Sequence, residues 1–138
     1  VTVEYLTLED LLALADDLGV PKVRDLGLLD SAAHRPRSSL MGQDAYGSLH
    51  EKAAVLLESV VRNHPLIDGN KRLGWMAAFV FYGLNGIDLD APEDDAYDLV
   101  IALATGGIGY PEAASRLEKW TRPDVTPPRA PAEFRFDV

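Results

Sequence analysis

A chain of 138 residues, 47% apolar and 25% charged, has the size of one domain with one ordinary core and leaves no room for a second. Its formal charge of -9 at pH 7 excludes a general nucleic-acid binder, which would neutralise phosphates with Lys and Arg over a broad face, and the lack of cysteine excludes a disulfide framework, a thiolate metal site and a thiol nucleophile. Val1 to Leu12 has no basic stretch leading into an apolar run, and the apolar runs elsewhere are too short or too broken by glycine to span a bilayer, so the expectation is a cytoplasmic protein with neither signal peptide nor membrane contact.

In chain order, Thr7-Leu8-Glu9-Asp10 has the form of a capping box. Leu8, Leu11, Leu12 and Ala15 then keep helical spacing up to the stop at Gly19-Val20-Pro21. Asp25 through Ala33 predicts a second, short helix closed by Pro36, and the polar stretch from Arg37 to Ser48, with Gly42 and Gly47, reads as a loop. From about Leu49 the positions Ala53, Leu56, Leu57, Val60, Val61 and His64 mark a third helix with one buried face, His64 on its last turn and Pro65 ending it. Leu73, Met76, Ala77, Val80, Phe81 and Leu84 define a central helix closing at Asn85-Gly86.

Ile87-Asp88-Leu89 is expected to pair with Val3-Glu4-Tyr5 as a minor two-stranded ribbon. Pro92 suits the first turn of a helix reaching about Thr105, and Pro111 the start of a last one carrying Ala114, Leu117 and Trp120. The fold class is therefore all-α, a bundle of about six helices. The domain is assigned to residues 1–121. Residues 122–138 form a Pro-rich tail that cannot bury enough apolar surface to fold alone, and it is either flexible or docked on the surface through Phe134 and Phe136.

The run His64-Pro65-Leu66-Ile67-Asp68-Gly69-Asn70-Lys71-Arg72 concentrates the chemistry. His64 can take a proton from a hydroxyl nucleophile, and Asp68 offers a hard oxygen ligand of the kind magnesium accepts alongside substrate phosphates. The amides of Gly69, Asn70 and Lys71 can converge on an anion at the start of the central helix, and Lys71 and Arg72 add two full charges, with Arg62 a third. Each part has a plain structural reading: Asp68 as an N-cap, His64 as a core histidine, Gly69-Asn70 as a turn. The cations resist it best, because a positive group in a first turn forgoes roughly 0.3–1 kcal/mol of dipole interaction. A local cationic pocket on an acidic protein suits a small anion.

This string resembles the signature of the Fic/Doc superfamily, approximately His-Pro-Phe-x-Asp/Glu-Gly-Asn-Gly/Lys-Arg, and the lysine in its eighth position is similar to the Doc branch. The likeness extends over roughly residues 3 to 121. It implies a toxin of a toxin-antitoxin module, a protein kinase using Mg2+ and ATP to phosphorylate a Ser or Thr hydroxyl of a translation factor such as elongation factor Tu, and so to arrest translation. Carried over, His64 is the general base, Asp68 the metal ligand, Gly69, Asn70 and Lys71 the anion nest and Arg72 a catalytic phosphate grip, with Arg62 as a further phosphate contact. The resemblance implies an antitoxin on a separate chain; the Ser/Thr-x-x-x-Glu-Gly/Asn pattern of the family's inhibitory helices does not occur in this sequence.

Fic proteins that transfer AMP usually have glycine where this chain has Lys71, and a second arginine where it has Trp75. Both departures point to phosphoryl transfer, because the lysine occupies the volume of the distal phosphates and turns the nucleotide round. Leu66 replaces the usual phenylalanine with a smaller apolar anchor. The alternatives are a Fic-like AMP transferase, an inactive interaction protein on the same fold, and a metal-dependent hydrolase for which His34 and His50 lie in no recognisable ligand spacing. Target choice is expected to lie in the 37–48 loop, and Arg35 and Arg37 either join the phosphate pocket or pair with the acidic surface.

Overall fold

The computed structural model describes residues 2–124. The expected docking of Phe134 and Phe136 lies outside the described residues. The first helix, α1 (Leu8–Asp17), starts where the sequence places it: Thr7 Oγ1 accepts from the Asp10 amide at 3.1 Å while Asp10 Oδ2 accepts from the Thr7 amide at 2.9 Å. The second, α2 (Leu26–His34), is capped by Asp25 and runs into a short 3-10 turn, Arg35–Arg37, in which Pro36 is buried. The long helices α3 (Leu49–Asn63) and α4 (Asn70–Leu84) follow, then α5 (Glu93–Ala104) and α6 (Tyr110–Lys119). Six α-helices among the described residues make the all-α bundle that the periodicity predicts.

The centre of the bundle is α3. Ten consecutive residues, Lys52 to Val61, are buried, which a helix reaches only when neighbours cover it on every side, and here α2, α4, α5 and α6 do so. The approach of α3 to α4 is set by Gly74: a Cβ there would lie 2.6 Å from Val61 Cγ1 and 3.0 Å from Leu57 Cδ1, so no other residue lets the two axes come this close. Leu56, Leu57, Val60, Leu73, Trp75, Ala77, Phe81 and Leu99 fill the core around that contact.

Three expectations are corrected. The 37–48 segment contains a hairpin, β1 (Ser39–Leu40) against β2 (Gln43–Asp44), turned by Met41 and Gly42, both at positive φ. Its strands are two residues long and exposed on both faces, so no alternation of apolar and polar residues announces them.

Ile87–Leu89 does form a strand, β3, but its partner is β4 (Thr121–Pro123) rather than Val3-Glu4-Tyr5. Arg122 pairs with Asp88 at 3.1 Å and Asp90 at 3.6 Å, which favours that register, while Glu4 is held through its backbone by the Asn85 side chain, at 2.9 Å in both directions. Folded structure therefore continues through Pro123, two residues into the stretch read as tail. Finally, His64 is not on the last turn of α3. It follows the helix in the left-handed conformation, φ 51 and ψ 59, and is exposed.

Candidate active site

The site is the loop between α3 and α4. Pro65 has no N–H and its ring bars the preceding residue from helical geometry, so α3 stops at Asn63 and His64 turns the chain out of the helix. Histidine is among the few non-glycine residues that enter the left-handed region at modest cost. The turn takes His64 off the packed face on which sequence periodicity had put it. The chain then drops back: Pro65 is buried, and Leu66, 1% exposed, is the apolar anchor beneath the loop, while Ile67 and Asp68 face solvent.

Two sets of bonds hold this loop. From outside, the segment between α1 and α2 runs antiparallel to it, with a bridge between Val23 and Leu66. The amides of Arg24 and Asp25 donate to Pro65 O at 2.8 and 3.0 Å, and the Ile67 amide donates to Lys22 O at 2.9 Å. The Arg24 side chain donates from Nε to His64 O at 2.6 Å and from Nη2 to Asn63 O at 2.8 Å. From inside, Asn70 spans the loop: its Oδ1 accepts from the Leu66 amide at 2.8 Å, its Nδ2 donates to Leu66 O at 3.0 Å, and the same Nδ2 lies 3.5 Å from His64 Nδ1. Asn70 is buried, so its side-chain carboxamide serves the loop, while its backbone N–H remains among the open first-turn amides of α4.

The N-terminus of α4 is open. Its N-cap is Gly69, φ 85, with no side-chain oxygen capping the helix, so the N-cap reading of Asp68 does not apply. Only glycine serves at that position. The left-handed φ is strained for any side chain, and a Cβ would sit 2.5 to 2.8 Å from three atoms of Val20. The first three amides of a helix have no intrahelical acceptor, and here the first turn holds no acid, only Lys71 and Arg72, both partly exposed. Arg72 Nη1 reaches Leu18 O at 3.5 Å, the limit of a hydrogen bond, near the end of α1, which has no basic residue in its own last turn. Among the described residues, no hydrogen bond or ion pair engages Asp68 or Lys71.

Arg62 is placed elsewhere. Its Nε and Nη2 donate to Leu103 O at 3.1 and 2.9 Å, Nη2 also donates to Ile108 O at 2.9 Å, and Nη1 lies 3.4 Å from Glu58 Oε2. These bonds fasten the turn between α5 and α6 to α3, which accounts for the arginine without the phosphate contact expected of it. Glu58 is itself buried and binds a second guanidinium, Arg35 Nη1, at 2.8 Å; Arg35 also donates to Ser59 Oγ at 3.0 Å and to Tyr46 Oη at 3.1 Å. Burial alone would lower the Arg35 pKa, but its hydrogen bonds and charge attraction to Tyr46 and Glu58 outweigh it and raise it, so the cation is permanent. Arg35 thus belongs to a paired interior network, and Arg37 stacks its guanidinium 5.1 Å from the centre of the Tyr5 ring.

Sequence reasoning thus named the loop and its His64, Asp68, Gly69, Lys71 and Arg72. It missed Arg24, Val20 and Lys22, whose contacts to the loop span about 40 residues of chain and have no local pattern. Among the described residues no three His, Cys, Asp or Glu side chains gather as a metal cluster, and no helix is long and apolar enough to cross a membrane.

Known proteins bear on this arrangement in two ways. Residues 5–82, which run from before α1 through the motif loop into α4, match the model of the Fic/DOC family. Over 118 residues the chain is 46% identical to Toxin Doc of Mycolicibacterium smegmatis (strain ATCC 700084 / mc(2)155), covering 83% of this chain and 91% of that protein. A family match over more than half of the chain and this degree of identity agree: the chain belongs to the Fic/Doc family.

Proposed function

We propose that this chain is the toxin of a toxin-antitoxin module and acts as a Mg-ATP-dependent protein kinase on a Ser or Thr hydroxyl of a translation factor such as elongation factor Tu. The observation that carries the reading is the start of α4: orphan amides, no acid and no cap, with Lys71 and Arg72 beside them and the exposed His64 across the loop. An anion of high charge density satisfies the amides and the dipole together. The likeness to Toxin Doc supports the toxin role and, with it, a cognate antitoxin on another chain.

In this reading the triphosphate lies on the amides of Asn70 and Lys71, gripped by the Lys71 and Arg72 side chains, and presents its γ-phosphorus outward. His64 takes the proton of the target hydroxyl as that oxygen bonds to the γ-phosphorus; the bond from the γ-phosphorus to the bridging oxygen breaks, and ADP leaves. Gly69 serves by turning the backbone, and the Asn70 side chain braces the loop while its backbone N–H stays in the anion nest. Asp68, exposed and with no partner among the described residues, fits magnesium, which takes one or two protein carboxylates and completes its shell with phosphate oxygens and water. When bound, the ion neutralises charge on the phosphates. Arg62 is left out of the phosphate site, because its donors hold the α5–α6 turn.

ATP labelled separately at the α and γ positions, incubated with the chain and purified elongation factor Tu, tests the proposal. Label from γ alone on the factor is the expected result, lost in His64→Ala. Transfer of the α label alone replaces the kinase with an AMP transferase. Growth of bacterial cells tests the toxin: wild type arrests them and His64→Ala does not.

A further inference from the structure

We infer that Arg24 is a positioning residue for His64, fixing through its guanidinium the backbone geometry that aims the imidazole; the inference rests on the kinase reading for its kinetic consequence alone. The two carbonyls that Arg24 binds belong to successive peptide planes. Asn63 C=O lies in the plane before the His64 Cα and His64 C=O in the plane after it, and one rigid, flat donor edge, Nε with Nη2, holds both at 2.8 and 2.6 Å. Fixing both planes fixes φ and ψ of His64, and with them the direction of its Cα–Cβ bond.

The device is needed because the ordinary one is missing. In the Schellman ending of a helix on a left-handed residue, the backbone N–H of the residue after it donates back to a carbonyl of the last turn and locks the turn. Here that residue is Pro65, which has no N–H, and the left-handed residue is a histidine rather than a glycine. Arg24 supplies the absent donors from outside the helix, and its positive charge lies on the carbonyl end of α3, where the macrodipole favours it. Asn70 cannot do this work: its bonds fall on Leu66, and its approach to the imidazole is only 3.5 Å. Nor is the guanidinium required to keep the two segments together. The amides of Arg24, Asp25 and Ile67 already bind across them, and those bonds are backbone groups that survive any side-chain substitution.

The experiment compares full-length wild type, Arg24→Ala and Arg24→Lys. Backbone chemical shifts of His64, by triple-resonance NMR, report its conformation without any substrate. In Arg24→Ala they move away from left-handed values, and kcat for γ-phosphoryl transfer falls between tenfold and a hundredfold, the range expected when a reacting group is displaced by about an ångström, while KM for ATP stays within about twofold. Arg24→Lys, which keeps the charge but not the flat two-donor edge, recovers part of the rate. Unchanged His64 shifts, an unchanged kcat, a loss confined to KM, or full rescue by lysine each overturns the inference. Should Arg24→Ala fail to fold, the His64 shifts of Arg24→Lys decide. If wild type transfers no γ label, the kinase reading fails while the shifts still judge Arg24.

Discussion

Two groups of charge lie on either side of the end of α3, and they are built on opposite rules. In the Arg35–Glu58–Arg62 group every ion has a partner: the buried Glu58 carboxylate is shared between two guanidiniums, which also donate to Ser59, Tyr46 and the carbonyls of Leu103 and Ile108. In the group formed by His64, Asp68, Lys71 and Arg72, Arg72 has one contact at 3.5 Å and His64 one approach at the same distance, while Asp68 and Lys71 have none among the described residues. The first is paired at every ion; the second is left open, as the proposed phosphate site requires. Sequence alone placed Arg62 with the second group because it is two residues from His64. A helical residue at that offset points to another face, and there it meets Glu58 one turn earlier.

The comparison predicts that activity and stability separate. His64→Ala, at an exposed position, should lose between a hundredfold and ten-thousandfold of the phosphotransfer rate, as general-base removal does, with a thermal midpoint unchanged within a few degrees. Glu58→Ala should do the reverse. It leaves two guanidiniums without their shared counterion, at a cost of about 3 kcal/mol, the low end for a broken buried pair because the two arginine side chains are 30% and 38% exposed. Urea unfolding measures the second effect and single-turnover kinetics on the folded fraction the first. A stable Glu58→Ala protein without activity would merge the two groups into one.

What was legible in the sequence follows the same line. Helix positions and caps were readable because their causes are local: Thr7 with Asp10 and the 3.6-residue spacing of Leu73, Ala77 and Phe81 are all visible within one or two turns. The unusual start of α4 was readable too, since cations in a first turn break a local rule. The partner of β3 was not, because Arg122 reaches Asp88 across 34 residues, nor was the hairpin, whose four strand residues are all exposed. The conformation of His64 was missed because periodicity describes a helix as though it continued. Pro65 marked the end, but an end can be straight or turned, and the choice depends on Arg24, 40 residues away.

Gly69 joins the open site to the packed interior and offers a finer cut. Gly69→Ala should cost about 2 kcal/mol from the left-handed φ and the collision with Val20, and should weaken ATP binding by pulling the α4 amides off their axis. Adding Val20→Ala removes the two Cγ collisions, at 2.5 and 2.8 Å, but keeps the Cβ of residue 20 at 2.7 Å and the strain of the left-handed φ. The double variant should therefore regain part of the stability, as read by urea unfolding; full recovery would mean that neither φ nor the remaining Cβ contact carries a cost there. Lys71→Ala should leave stability within about 0.5 kcal/mol, and should lower ATP affinity between tenfold and a hundredfold, the worth of one hydrogen bond to a charged group. Titration calorimetry at two salt concentrations measures that loss, which should shrink as salt rises.

The smallest expected effect lies on the far side of the core, where a pair of ring groups behaves like neither set of ions. The Tyr82 hydroxyl is 2.8 Å from His50 Nδ1, and burial, with the Glu118 charge adding to it, pushes the Tyr82 pKa well above its usual value. The folded state therefore keeps a proton that the unfolded chain releases near pH 10, and the sign follows: the stabilising contribution is whole below about pH 10 and is lost as pH rises toward the folded pKa. The slope from one such group is at most about 1.4 kcal/mol per pH unit. Tyr82→Phe removes the titrating group, so its stability should decline less steeply between pH 10 and 11 than that of wild type, whatever it loses at neutral pH with the hydrogen bond. Parallel declines in urea-unfolding series across that range would place the alkaline sensitivity elsewhere. The contrast with His64 is in the packing: a tyrosine buried beside His50 is tied to the stability of the fold, whereas His64 is turned out of its helix into solvent and, in the kinase reading, faces the target hydroxyl.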